Sequence, residues 1–176
     1  MARRLEPEKR QKHLEGVVDY LLRHGLAGLS LRPLAEAIET SPRLLLYHFG
    51  SKEALVAAAL DGARARMILQ LDLASPRRSF SAWWHKLSTP EIQPYWRLIL
   101  EVYALGLQGE GSYADMLRRA IADWTTALPV VDQDVATLMI AVVGGLLLDL
   151  MGTGDRARVD GAAARFDQLI SRKEGP

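Results

Sequence analysis

The chain has 176 residues, 49% of them hydrophobic and 24% charged, an ordinary globular composition that excludes disordered, collagen-like and coiled-coil chains. It has no cysteine, which excludes a disulfide framework, a thiolate zinc site, an iron–sulfur cluster and a cysteine nucleophile. The formal net charge is only +1, yet residues 1–52 hold nine Lys/Arg against six Asp/Glu while residues 53–176 hold thirteen against fifteen.

No stretch alternates with period two for long enough to make a strand, whereas a 3.6-residue period recurs throughout. The pattern predicts an all-α fold of about nine helices. At the N-terminus Arg3, Arg4, Lys9, Arg10 and Lys12 face only Glu6 and Glu8, which suits either a polyanion or a solvated end. Charge, not an apolar core, follows this run, so it does not read as a secretory signal, and a cytoplasmic location is expected. Leu14, Val17, Val18, Leu21 and Leu22 then predict a first helix over 8–24, closed by His24 and Gly25.

Ser30 is a good N-cap for a second helix with Leu31, Leu34, Ala35 and Ile38 on one face, and Pro33 in its first turn is tolerated. Ser41 caps a third, started by Pro42 at N1 and stopped by Gly50. Ser51 caps a fourth that runs from Lys52 into the low seventies. Pro76, Pro90, Pro94 and Pro129 punctuate the rest, which predicts helices near 79–88, 91–108, 112–128, 132–151 and 156–172. The most apolar run, Val135–Leu148, is closed by Asp149 and falls short of the roughly 20 residues that cross a bilayer. It reads as a buried helix, and no membrane partner is expected.

Two short capped helices joined by Glu39 and Thr40 have the dimensions of a helix-turn-helix. On a helical wheel Pro42, Leu45, Leu46 and Phe49 share the inward face of the second helix, and Arg43, Leu44, Tyr47 and His48 point outward together. A guanidinium, a phenol, an imidazole and an isobutyl group suit base edges, where Arg pairs with guanine and an apolar tip meets a thymine methyl. The run LSLRPLAEAIETSPRLLLYHFGSKEALVAAAL, Leu29 to Leu60, and above all Tyr47-His48-Phe49-Gly50-Ser51-Lys52-Glu53-Ala54-Leu55, resembles the DNA-binding head of the tetracycline-repressor (TetR) family of bacterial regulators. The resemblance covers about residues 8–60, and Leu46 stands where many members carry Tyr.

That resemblance implies a helix-turn-helix head at 1–52 and a helical ligand-binding and dimerisation body at 53–176. It implies a homodimer on double-stranded operator DNA, released by a small-molecule effector. Carried over position by position, Ser30 and Arg32 would meet phosphate, as would Lys52 at the start of the fourth helix. Thr40, Ser41, Arg43, Leu44, Tyr47 and His48 would line the groove. The competing expectation is a helical protein-interaction module that uses the Leu44 and Tyr47 surface without specific DNA binding.

In the body, all four Trp and the Ile92–Trp96–Ile99–Tyr103 stripe are either core or the wall of a cavity. Met67, Trp83, Trp84, Trp96, Ile99, Tyr103, Trp124 and Met139 are candidate wall residues for an apolar or aromatic effector, and Arg97 and Glu101 read as an exposed i, i+4 pair. Ala141, Gly144, Gly145, Leu148, Val159, Ala163, Phe166 and Ile170 are candidate dimer-interface residues on the last two helices, where the 132–151 helix is apolar around most of its circumference. Asp149 is a cation anchor, an interface group or a solvated flank. His13, His24, His48 and His85 have no metal-ligand spacing, the Gly109–Gly111 and Gly152–Gly154 pairs follow no strand, and no catalytic triad stands out. No metal, cofactor or enzymatic activity is expected.

Overall fold

The computed structural model describes residues 2–71, 79–109, 113–119, 122 and 132–171. Among these residues there are nine helices and no strand: α1 (Ala2–His24), α2 (Leu31–Ala37), α3 (Pro42–Phe49), α4 (Lys52–Leu71), α5 (Phe80–Leu87), α6 (Gln93–Leu107), α7 (113–119), α8 (Gln133–Thr153) and α9 (Arg156–Ser171). The all-α expectation is met. Most starts are where the cap residues place them. Ser41 Oγ accepts from Leu44 N at 3.2 Å, Ser51 Oγ from Ala54 N at 3.0 Å, and Ser79 Oγ from Ala82 N at 3.2 Å, each satisfying one orphan amide of a first turn. Asp132 does the same for α8 through the amides of Asp134 and Val135.

Two boundaries differ from the sequence pattern. The first helix begins at Ala2, not residue 8, and runs through Pro7, where the ring removes one backbone hydrogen bond of the helix. Of the helix expected at 112–128, residues 113–119 and 122 are helical, and the remainder lies outside the described residues.

The chain divides into two compact units, Met1–Gln70 with Arg97–Arg118, and Leu71–Trp96 with Arg119–Pro176. In the first, α1 is the central post: Val17, Val18 and Leu21 are buried together with Leu34 and Ala35 of α2, Leu45 of α3, and Leu55, Val56, Ala59 and Ala63 of α4. Arg66 on α4 pairs with Asp19 on α1 at 2.5 Å. The C-terminus of α1 is gripped from α6. Arg97 Nη2 donates to the carbonyls of Leu22 at 2.5 Å and Arg23 at 3.2 Å, and the Glu101 carboxylate accepts from Leu26 N. Arg97 is exposed as expected and Glu101 half-buried, but each bonds the end of an adjoining helix, which corrects their expected role as a pair with one another. The orphan carbonyls of α1 attract the cation and the unpaired amide after its turn attracts the anion.

In the second unit, α9 lies against α5 and α8. Trp84 is buried and donates through Nε1 to Asp160 Oδ1 at 2.6 Å, Phe80 meets Phe166 edge-on with ring centroids 4.7 Å apart, and Arg156 binds the fully buried Ser88 through its hydroxyl and carbonyl. Asp149 forms a two-pronged pair with Arg158, at 2.6 and 2.7 Å, which holds its carboxyl below the usual range. It is a corner brace between α8 and α9.

The structure corrects one expectation about α8. It is 21 residues long and, by length and composition, apolar enough to cross a membrane, yet only Ala136, Met139, Val143, Leu147 and Leu150 are buried. Leu138 and Leu148 stand 50% and 58% exposed on its other side. A helix apolar all round buries one face per neighbour, and α9 covers only part of it.

Gly25 and Gly28, at φ +76° and +68°, both adopt the left-handed conformation, but only at Gly25 would a Cβ run into the Glu101 carboxylate. Gly28→Ala is expected to destabilise the chain by about 1 kcal/mol, the backbone cost alone, and Gly25→Ala by clearly more. Urea unfolding of the two variants checks this; equal losses would mean that Glu101 does not occupy the space beside Gly25.

Candidate nucleic-acid interface

Helices α2 and α3 are joined by a turn in which Thr40 N donates to Ala35 O at 2.9 Å and Glu39 N to Glu36 O at 3.2 Å. Glu39 takes φ 54°, the left-handed conformation that reverses the chain within two residues. Pro42 presets the first turn of α3, Ser41 caps it, and Gly50 at φ 85° ends it. Burial of Leu45 and Phe49 fixes which way this helix faces. Arg43 is exposed, Tyr47 is 68% exposed, and Leu44 and Leu46 are 37% and 38% exposed.

The outward face is therefore Arg43, Leu44, Leu46 and Tyr47, which differs from the wheel at two positions. Leu46 was expected inward, but at two turns the helix buries only the narrow Leu45–Phe49 line. His48 was expected outward, but its ring lies 5.3 Å from the ring of His13 on α1, and its Nε2 is buried without a hydrogen-bond partner. It sits on the flank nearest the buried line and packs backward. Thr40 likewise keeps its Oγ1 buried and unpartnered, so its hydroxyl is not on the groove face.

The remaining expected contacts stay at the surface. Ser30 and Arg32 are exposed at the start of α2, where the Ser30 hydroxyl makes no capping bond. Ser41 is exposed and accepts from Leu44 N, leaving its hydroxyl proton as a donor. Lys52 donates to the Leu29 carbonyl at 2.5 Å. It ties α4 to the segment before α2 and keeps two further N–H groups.

Residues of α1 that sequence reasoning had assigned no place in the motif complete this region. Arg10 Nε donates to His48 O at 3.2 Å, and its guanidinium carbon lies 4.6 Å over the Phe49 ring. The pairing spans 38 residues, and no spacing rule links such positions; the only signal was the basic character of residues 3–12. Among the described residues no cluster of three or more His, Cys, Asp or Glu could hold a metal.

Residues 18–59 match the family model of bacterial regulatory proteins of the tetR family. Over those residues the head is similar to the TetR family. The fold extends the likeness over the whole chain: a transcriptional regulator from Rhodococcus sp. Rha1 is similar at a TM-score of 0.76 and 18% identity, covering 93% of this chain and 96% of that one. A TetR-family transcriptional regulator from Cytophaga hutchinsonii is similar at 0.74 and 20% identity, with 94% of each chain covered. The multidrug binding protein EbrR, complexed with imidazole, is similar at 0.66 and 20% identity, over 90% of this chain and 89% of that one. No match was found among curated proteins. Residues 18–59 thus match that family's model, and over most of the chain the fold is that of these solved regulators.

The candidate wall residues fall in both units. Met67 is buried and Ile99 and Tyr103 are half-buried in the first unit; burial pushes the Tyr103 phenol up. Trp83, Trp84, Trp96 and Met139 belong to the second unit, and Trp124 lies outside the described residues. The indole N–H of Trp96 donates to Leu87 O at 3.0 Å, so Trp84 and Trp96 both spend their polar handle on structure. Of the candidate interface residues, Ala141, Gly144, Gly145 and Leu148 are exposed. Val159 and Ala163 are fully buried in their own chain, which corrects their assignment to an interface: α9 turns that stripe toward α5 and α8. Phe166 packs on Phe80, and Ile170 is half-buried.

Burial, and then the nearby His48, Lys12 and Lys9, push the His13 imidazole down. The unfolded chain therefore takes up this proton more readily than the folded one. The contribution of neutral His13 is full above about pH 6.5 and is lost as the pH falls through that value toward the lower folded one. The denaturation midpoint is expected to fall between pH 7.5 and 5.0, and His13→Gln to flatten that fall; parallel profiles would show that His13 does not titrate differently on unfolding.

Proposed function

We propose that the chain is a homodimeric, sequence-specific transcriptional regulator of the repressor type, in which residues 1–52 read operator DNA and residues 53–176 dimerise and bind an effector. The observation that carries the reading is the exposed Arg43, Leu44 and Tyr47 face on the capped second helix of a TetR-type helix-turn-helix. Such a helix presents its N-terminal half, with Ser41, to base edges in the major groove, while Ser30, Arg32 and the free donors of Lys52 meet flanking phosphates. The reading places the chain in the cytoplasm with its DNA and calls on no catalytic group, metal or cofactor.

The body supports the second half of the reading. Helix α6 carries Ile99 and Tyr103 as well as Arg97 and Glu101, which hold the end of α1, so a ligand that shifts α6 is felt at the head. That EbrR, of the same fold, is a multidrug binding protein favours a small, largely apolar or aromatic effector. For the dimer, the exposed Leu138, Ala141, Gly144, Gly145 and Leu148 strip of α8 offers an apolar face for a second copy. Added Cβ atoms at Gly144 and Gly145 would meet nothing within 4 Å of their own chain.

Selection of bound duplexes from a random-sequence pool tests the DNA reading. Two-fold related half-sites are expected, spaced by about one helical turn or a multiple of it. Arg43→Ala and Tyr47→Ala should each weaken the selected duplex by about 1–3 kcal/mol per half-site at an unchanged melting temperature. Failure to enrich any sequence, with Leu44 and Tyr47 instead protected by a bound protein, would favour the interaction-module alternative.

The interface is checked by sedimentation. The wild type is expected as a dimer, and Gly144→Arg, which puts a long cation on the apolar strip, as a monomer of unchanged helicity. A variant that dimerises with full affinity would move the interface off α8.

A further inference from the structure

We infer that Arg10 is a positioning residue for operator recognition and not one of its phosphate contacts. The inference rests on the DNA-binding reading and goes beyond it, because the basic run at residues 3–12 would otherwise be counted as polyanion contacts.

Three observations carry it. Arg10 Nε donates to His48 O at 3.2 Å, a carbonyl in the last turn of α3 that has no partner within the helix. The guanidinium also brings a positive charge to the negative end of that helix. Its central carbon lies over the Phe49 ring, 4.6 Å from the centroid, and Phe49 is one of only two side chains that α3 buries. Beside them the His13 and His48 rings meet at a tilt across the same α1–α3 seam, 5.3 Å apart.

Arg10 thus closes the C-terminal end of α3 while Ser41 closes the N-terminal end. The helix between these two ends has eight residues, too few to hold its conformation unaided. The azimuth of Arg43, Leu44 and Tyr47 then depends on the clamp. Loss of the clamp should harm contacts that need an oriented helix and spare contacts that need only charge. Nonspecific binding rests on phosphate charge, whereas base readout rests on geometry.

Arg10→Lys separates the two roles, since an ammonium keeps the charge but has no Nε–H to bond the His48 carbonyl while a guanidinium group covers the Phe49 ring. The probes are the duplex that the wild-type chain selects from a random pool and an unselected duplex of the same length. For the full-length Arg10→Lys chain, affinity for the selected duplex is expected to fall about tenfold, with affinity for the unselected duplex and the salt slope unchanged. Amide exchange at Gly50, whose N–H donates to Leu46 O at 2.8 Å, should quicken in the same variant.

Arg10→Lys binding the selected duplex like wild type would overturn the inference, as would equal losses on both duplexes. An Arg10→Ala salt slope lower by about 0.9 per subunit would also overturn it, because that is the signature of a lost phosphate contact. If the wild type selects no duplex, the DNA reading fails instead, and the Gly50 exchange rate still decides whether Arg10 holds α3.

Discussion

The docking of α3 is the constraint on which the rest of the head depends. An eight-residue helix is unstable in water by itself, so its existence and its direction both come from outside it. Ser41 and Pro42 start it, Gly50 stops it, and Leu45 and Phe49 anchor it against the α1–α2–α4 core. Because these are the only two side chains it buries, its outward face is what remains once they are seated. Leu46 is drawn outward and His48 inward for the same reason: the buried line is narrow, and α1 lies along one flank of it.

Helix α1 is the shared support. Its central residues Val17, Val18 and Leu21 are sealed from solvent, its N-terminal half presents Arg10 and His13 to α3, and its C-terminus is capped by Arg97 and Glu101 of α6. Polar groups do the fixing at both ends while the middle is held by apolar burial. Directional bonds at the ends define a position that packing alone leaves free to slide. Gly25 belongs to this arrangement, since the space a side chain would fill there is taken by the Glu101 carboxylate.

The second unit is built on a different balance. Trp84 to Asp160, Trp96 to Leu87 O, and Arg156 to Ser88 satisfy polar atoms in and around a large aromatic core, which makes these residues structural anchors. Helix α8 contrasts with that economy. Its composition would suit a membrane, yet it is joined to α9 through Gly154 and the Asp149–Arg158 brace and presents leucine, alanine and glycine on its open side. Under the proposed function that strip is the face offered to a second copy.

The sequence by itself determined what local chemistry determines. The helical period gave the all-α class, the serine caps and the Pro42 and Gly50 pair marked the limits of α3, and the Leu29–Leu60 run carried the likeness of the head to the TetR family, because each of these depends on residues within a few positions of one another. Only the tertiary structure decided which side chains are free to act. His48 and Thr40 were withdrawn from the groove face, Leu46 was added to it, Arg97 and Glu101 became the caps of another helix, and Val159 and Ala163 were buried in their own chain. Several of these turn on a neighbour far along the chain: His13 of α1 for the His48 ring, and a partner 75 residues away for Glu101 and Leu26. A helical wheel records the angle of a side chain about its own axis and contains nothing about what stands opposite it.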